Sequence, residues 1–125
     1  MDPIDLDPFE ALVRTAVGAL PQEFRERIEN LAFSVEDWGS PEDFGLTGTS
    51  GGGTLLGVYR GVPLTRRTSG YHLTMPDSII LFQQPLQRMA RDADHLAELV
   101  AHTVRHEVAH YFGISDERLR ELEAY

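Results

Sequence analysis

His106 and His110 stand four residues apart with Glu107 between them, and Gly113 and Asp116 follow. On a helix, side chains at i and i+4 lie one above the other, with Cβ atoms roughly 5–6 Å apart. Imidazoles so placed can each direct a ring nitrogen at one Zn²⁺, at roughly 2.0–2.1 Å. Glu107 projects about 100° further around the helix, where it can reach a water at the metal without ligating it. Gly113 is expected to stop the helix, and the turn after it brings Asp116 to a third coordinating position. Three protein ligands leave a fourth position for water, the open arrangement of catalytic zinc sites.

A random HExxH in a chain of this composition is roughly a one-in-fifty event. Requiring Gly113 and Asp116 as well lowers this to on the order of one in ten thousand. A helical wheel gives an argument that does not use the motif. Leu96, Ala97, Leu99, Val100, Val104, Val108, Tyr111 and Phe112 form a broad apolar arc, and His95, Glu98, His102 and Arg105 fill the polar remainder. Glu107 falls inside the apolar arc, and His106 and His110 lie at its margin. A carboxylate facing a core needs a partner, because burying it unpaired is very costly. Plainer readings stay open: satisfied core histidines at 106 and 110, an arginine-paired carboxylate at Glu107, and a helix N-cap at Asp116. His102 reads as solvent-facing.

The elements that must position these residues follow from periodicity. Asp7-Pro8-Phe9-Glu10 reads as a helix start, with Asp7 as cap and Pro8 in the first helical position. Phe9, Leu12, Val13, Ala16, Val17 and Leu20 repeat at helical spacing. Pro21 opens a second short helix with Phe24, Ile28 and Leu31 on its buried side. Alternation then predicts a strand over 31–38, a second over 55–64, weakened by Gly57 and Gly61, and a third over 78–83. Residues 45–53 form a glycine-rich loop with no Gly-Lys-Ser/Thr after it, which argues against a phosphate loop. Pro85 restarts a helix through Met89. Asp92 or Asp94 caps the long helix that ends near Phe112, and a last short helix begins at Ser115 or Asp116. The order predicts one α+β domain over 1–125, a small sheet with helices on one side.

Composition limits the partners. The chain of 125 residues carries a formal charge of -9, and all 11 of its basic residues are arginine. This disfavours general nucleic-acid binding and anionic membrane surfaces. Arg60, Arg66, Arg67, Arg88 and Arg91 form a mildly basic middle stretch, read as a solvated face. Cysteine is absent, so neither disulfides nor thiolate ligands arise. The acidic, proline-broken start is unlike a secretory signal, and no apolar run reaches the ~18 residues of a membrane span. A soluble cytoplasmic protein is the simplest expectation.

At these residues the chain resembles the zincin superfamily of metallopeptidases. HExxHxxGxxD matches the metzincin motif with Asp116 in place of the third histidine, as in the Asp-zincins. Further likeness, to the small bacterial mini-zincins or zincin-like metallopeptidase domains, runs through Leu20-Pro21, Val35-Glu36-Asp37, residues 57–65, Ile79-Ile80-Leu81-Phe82 and the motif through Leu119. The resemblance implies a minimal zincin-like domain, with a small mixed sheet packed on the active-site helix. It implies one Zn²⁺ held by His106, His110 and Asp116, Glu107 as general base, and a peptide or protein substrate lying extended along a sheet edge near 55–64. Tyr59, Tyr71, His72 and Arg66 are candidate donors to the oxyanion. Metzincins also set a methionine-containing turn beneath the zinc, downstream of the third ligand. Here Met1, Met75 and Met89 all precede the motif, and nine residues follow Asp116. That departure motivates two alternatives: a zinc-containing binding or regulatory module, and a peptidase whose cleft is completed by a partner chain or a second copy.

Overall fold

Six residues from Leu31 alternate apolar and polar, and they form the strand that the alternation predicts, two residues shorter than expected. The computed structural model describes residues 3–28, 30–41, 43, 55–61, 77–115 and 117–118. In chain order the elements are α1 (Leu6–Gly18), α2 (Gln22–Arg25), β1 (Leu31–Glu36), β2 (Gly57–Arg60), β3 (Asp77–Phe82), α3 (Gln83–Met89) and α4 (Ala93–Tyr111). Among the described residues the sheet has the order β1-β3-β2. β1 runs parallel to β3, with Phe33 opposite Ile79, and β2 runs antiparallel to it, with Tyr59 opposite Ile79. The predicted mixed α+β architecture is therefore present.

Apolar content explains the sheet order. The central strand β3 is buried at Ile79, Ile80, Leu81 and Phe82, as expected for a run apolar on both faces. On one face Leu31, Tyr59, Ile79 and Leu81 pack with Phe9 and Val13 of α1 and with Leu96, Val100 and Val104 of α4. Each such side chain contributes on the order of 1.5–3 kcal/mol by leaving water. The opposite face carries a smaller cluster of Leu55, Val58, Ile80 and Phe82.

Two helix starts differ from the sequence expectation, and proline is the reason in both. The N-cap position of α1 is Asp5 rather than Asp7, without a side-chain capping bond, which puts Pro8 at the third helical position. α3 begins at Gln83, so Pro85 again stands third, and β3 ends at Phe82 instead of Gln83. Proline fits anywhere in the first turn, because the N–H it lacks would have no intrahelical carbonyl there. The first bond of α1 is donated by Phe9 N–H to the Asp5 carbonyl at 3.2 Å. Residues 62–64 of the second expected strand lie outside the described residues, as does the glycine-rich loop.

Long-range polar pairs fix the sheet's surroundings. Arg60 Nε and Nη2 donate to Asp43 Oδ1 and Oδ2, both at 2.8 Å, and Nη1 donates to Glu36 Oε2 at 3.1 Å. Ser40 N–H also donates to Asp43 Oδ2 at 2.8 Å. This fork ties the chain beyond β1 to the end of β2. Gln83 and Gln87, both buried, hold the main chain of Ile4. Gln83 Nε2 donates to its carbonyl at 3.0 Å and Gln87 Oε1 accepts its N–H at 2.6 Å.

The Arg60 guanidinium holds the Asp43 carboxyl below its ordinary range. A carboxylate with a depressed folded pKa stabilises the fold above its unfolded pKa of about 3.9, and that contribution disappears as pH falls through the folded value. Asp43→Asn is therefore expected to lower stability by about 1–3 kcal/mol near neutral pH. The gap from wild type narrows steadily below about pH 4. Thermal melts across a pH series check both the size and the direction.

Candidate metal centre

The site helix owes its ends to local chemistry. Asp92, one of the two expected caps, accepts the His95 N–H at 2.8 Å on its side-chain Oδ1. At the other end Gly113 adopts φ +84°, its N–H donating to the His110 carbonyl while Ile114 N–H donates to the Ala109 carbonyl, both at 2.9 Å. These two bonds define a Schellman stop, for which glycine is favoured because it takes positive φ without strain. The chain thus reverses beside the turn that carries His110. Ser115 Oγ then accepts the Arg118 N–H at 3.1 Å, making Ser115 the cap of the next turn.

Burial along α4 follows the predicted wheel at its centre. Leu96, Val100, Thr103, Val104, Glu107, Val108 and Tyr111 are buried. Ala97, placed in the apolar arc by sequence, is exposed, and Leu99 and Phe112 are half-buried. Glu107 is 4% exposed, a carboxylate set among core side chains. Its Oε1 lies 3.0 Å from Nδ1 of His110 and its Oε2 lies 4.0 Å from Nε2 of His106. The two imidazole rings meet edge to face with centroids 4.6 Å apart. Each is half-buried, so the pair sits between core and surface.

Donor atoms of His106, Glu107 and His110 all lie within 4.8 Å of one another. Two imidazole nitrogens beside one carboxylate make a donor set suited to a borderline divalent cation such as Zn²⁺. The residues present therefore fit the metal that the spacing predicts. Asp116, the expected third ligand, lies outside the described residues, as do Tyr71, His72 and Arg66. Tyr59 is buried and donates its hydroxyl to Asp77 Oδ2 at 2.7 Å, so its proton is already engaged. His102 is not simply solvent-facing. Its ring is half-buried with its centroid 6.2 Å from that of His106. Burial, then the neighbouring His106 and Arg105, hold its pKa below the ordinary value.

One positioning residue was not singled out in the sequence. Gly57 opposes Leu81 across β2 and β3, and a Cβ built on it would lie 2.7 Å from Thr103 Cγ2 and 3.0 Å from the Ile80 carbonyl oxygen. Thr103 stands one turn before Glu107 and cannot swing away freely, because its hydroxyl donates to the Leu99 carbonyl at 2.8 Å. Glycine here lets β2 lie close against the site helix. The signal was available, since a glycine inside a strand pattern often marks such an approach. Gly57→Ala is expected to cost about 1–3 kcal/mol, as overpacking does, read as a lower midpoint in denaturant unfolding. An unchanged midpoint would refute the close-packing role.

The register also orients β2. Phe82 N–H donates to the Leu56 carbonyl at 2.9 Å, which makes Leu56 and Phe82 a hydrogen-bonded pair. By alternation Val58 and Arg60 face β3, whereas Gly57 turns its N–H and C=O away from it. Tyr59 meets Tyr111 edge to face at 5.8 Å, anchoring the same strand beside His110.

A mixed sheet packed on a helix that presents a histidine pair around a buried glutamate is the arrangement of a zincin-type metal site. The family model described as zincin-like metallopeptidase matches residues 28–125, and the chain belongs to that family. A comparison with curated proteins gives no match. No helix among the described residues is long and apolar enough to cross a membrane.

Proposed function

We propose that the chain is a zinc-dependent metallopeptidase hydrolysing peptide or related amide bonds. His106, His110 and Asp116 are the metal ligands in this reading, and Glu107 is the general base. The observation that carries it is the Glu107 carboxylate, buried in the apolar face of α4 with two imidazoles as its neighbours. A charge in that setting would be disfavoured by desolvation without a compensating cation nearby.

Bound zinc supplies a Lewis acid for the scissile carbonyl and lowers the pKa of a coordinated water toward about 7. Glu107 takes a proton from the attacking water and returns it to the leaving amine. The buried walls around Glu107 fix its rotamer and strengthen its electrostatic interactions. Asp116 is favoured as third ligand by its place three residues after the Gly113 stop and by Ser115, which already serves as cap. Substrate is proposed to lie extended along β2, pairing with the outward N–H and C=O of Gly57.

A peptide library incubated with zinc-loaded protein and read by mass spectrometry tests this. Cleavage products are expected with wild type and not with Glu107→Gln. Products of equal yield from both proteins would overturn the assignment of Glu107.

A further inference from the structure

Phe82 N–H on the Leu56 carbonyl, with Val58 and Arg60 facing Ile80 and Ser78, turns the main chain of Asp77, Ile79 and Leu81 toward β1. In the parallel register these groups bond to Ala32, Ser34 and Glu36, so Leu31, Phe33 and Val35 carry the outward row of β1. Leu31 N–H is taken by the Ile28 carbonyl at 3.0 Å. Among the described residues nothing pairs with the N–H and C=O groups of Phe33 and Val35. Their side chains are half-buried against the core. With Glu10, Val13, Arg14 and Val17 of α1 they line a groove of about 490 Å³. Sheet edges are commonly guarded by lysine, proline or a bulge, and residues 31–36 have none of these. Their one charge, Glu36, is held by Arg60.

We propose, resting on the peptidase reading, that this edge is an exosite for the substrate. A second extended segment of the substrate chain adds a strand beside β1 while the scissile bond lies at the metal centre. A row of N–H and C=O groups is matched by extended polypeptide, the form in which substrate is placed along β2. Charge narrows the occupant further. Glu10 and Arg14 are opposite in sign, and neither joins a salt bridge among the described residues. Four residues of helix separate them by about 6 Å along α1. Side chains at i and i+2 of a strand stand about 6.6 Å apart. A segment with a base and an acid two residues apart therefore meets both. The aliphatic stems of that pair, and apolar side chains flanking it, cover Val17, Phe33 and Val35. Strands added at the β1 and β2 edges would lie four strand spacings apart, about 19 Å, which at least about six extended residues must cover. One substrate chain of about 20 residues can then occupy both edges.

Two kinds of peptide sharing one cleavage sequence test this on the intact chain. The short one fills only the β2 edge. The long ones continue through a spacer to Val-Thr-Lys-Thr-Glu-Thr-Val or Val-Thr-Glu-Thr-Lys-Thr-Val, the two orders serving the two strand directions. With zinc-loaded protein, one long peptide is expected to show a KM about tenfold below that of the short one at similar kcat. Metal-free protein is expected to bind it more tightly than the short one by a similar factor, read by fluorescence anisotropy. Val17→Glu places a charge on the groove floor, and Arg14→Glu breaks the rim pairing. Each is expected to erase the length advantage in both KM and Kd. Arg14 is exposed, so its variant reads the groove even if Val17→Glu fails to fold. Equal KM for both lengths, or a length advantage indifferent to Arg14→Glu, would overturn the exosite and leave the peptidase reading standing. No cleavage of any of the peptides would overturn the peptidase reading, and the substrate assignment of the groove with it.

Discussion

In Glu107→Gln protein, kcat/KM toward any peptide cleaved by the wild type is expected to fall about 10²–10⁴-fold, while zinc stays bound at one ion per chain. Glutamine keeps the shape of the side chain and an oxygen that can still approach His110 Nδ1. It carries no charge and accepts no proton at neutral pH. Packing should survive, since Glu107 sits in a closed apolar setting with Leu96, Val100, Val104 and Val108 on the same helix. The buried face is expected to keep or gain stability, because a desolvated charge has been removed. Steady-state kinetics beside a zinc determination separate the outcomes. A variant that hydrolyses within about threefold of wild type would show that proton transfer runs through another group.

His110→Ala is expected to have the largest effect on metal affinity and, through it, on stability. A ligand bound only by the folded state stabilises it by about 4 kcal/mol at a thousandfold excess over Kd. For a chain of this size that corresponds to a Tm increase on the order of 10–25 °C. Adding a strong chelator to the wild type should lower Tm by that amount, whereas His110→Ala should melt at the same temperature with or without chelator. His110 lies at the last turn of α4, just before the Schellman stop, so its truncation removes a donor without opening the core. A wild-type melt unmoved by verified metal removal would contradict the coupling of metal to folding.

Much of this was legible in the sequence because it is written locally. The helix from Ala93 to Tyr111 carries its own period, its Asp92 cap and its Gly113 stop, and the burial of Glu107 follows from the same wheel. Features that depend on distant partners left no such trace. Arg60 and Asp43 are 17 residues apart, Tyr59 and Asp77 18 apart, and nothing in either neighbourhood announces the pairing. Gly57 looked like a weakness in a strand because the Thr103 methyl that requires it arrives from an element 46 positions later. The shifted starts of α1 and α3 have a simpler origin. Proline is accepted at several first-turn positions, so its presence marks a helix beginning without fixing the residue.

The most direct test of the metal centre is X-ray absorption at the zinc edge on stoichiometrically loaded protein, with His110→Ala alongside. One ion per chain is expected, with two imidazole nitrogens at about 2.0–2.1 Å and oxygen donors completing the shell, one of them exchangeable solvent. The variant should lose one imidazole contribution and most of its zinc. Wild-type protein that takes up no stoichiometric metal, or whose ion is enclosed by protein donors alone, would contradict the account.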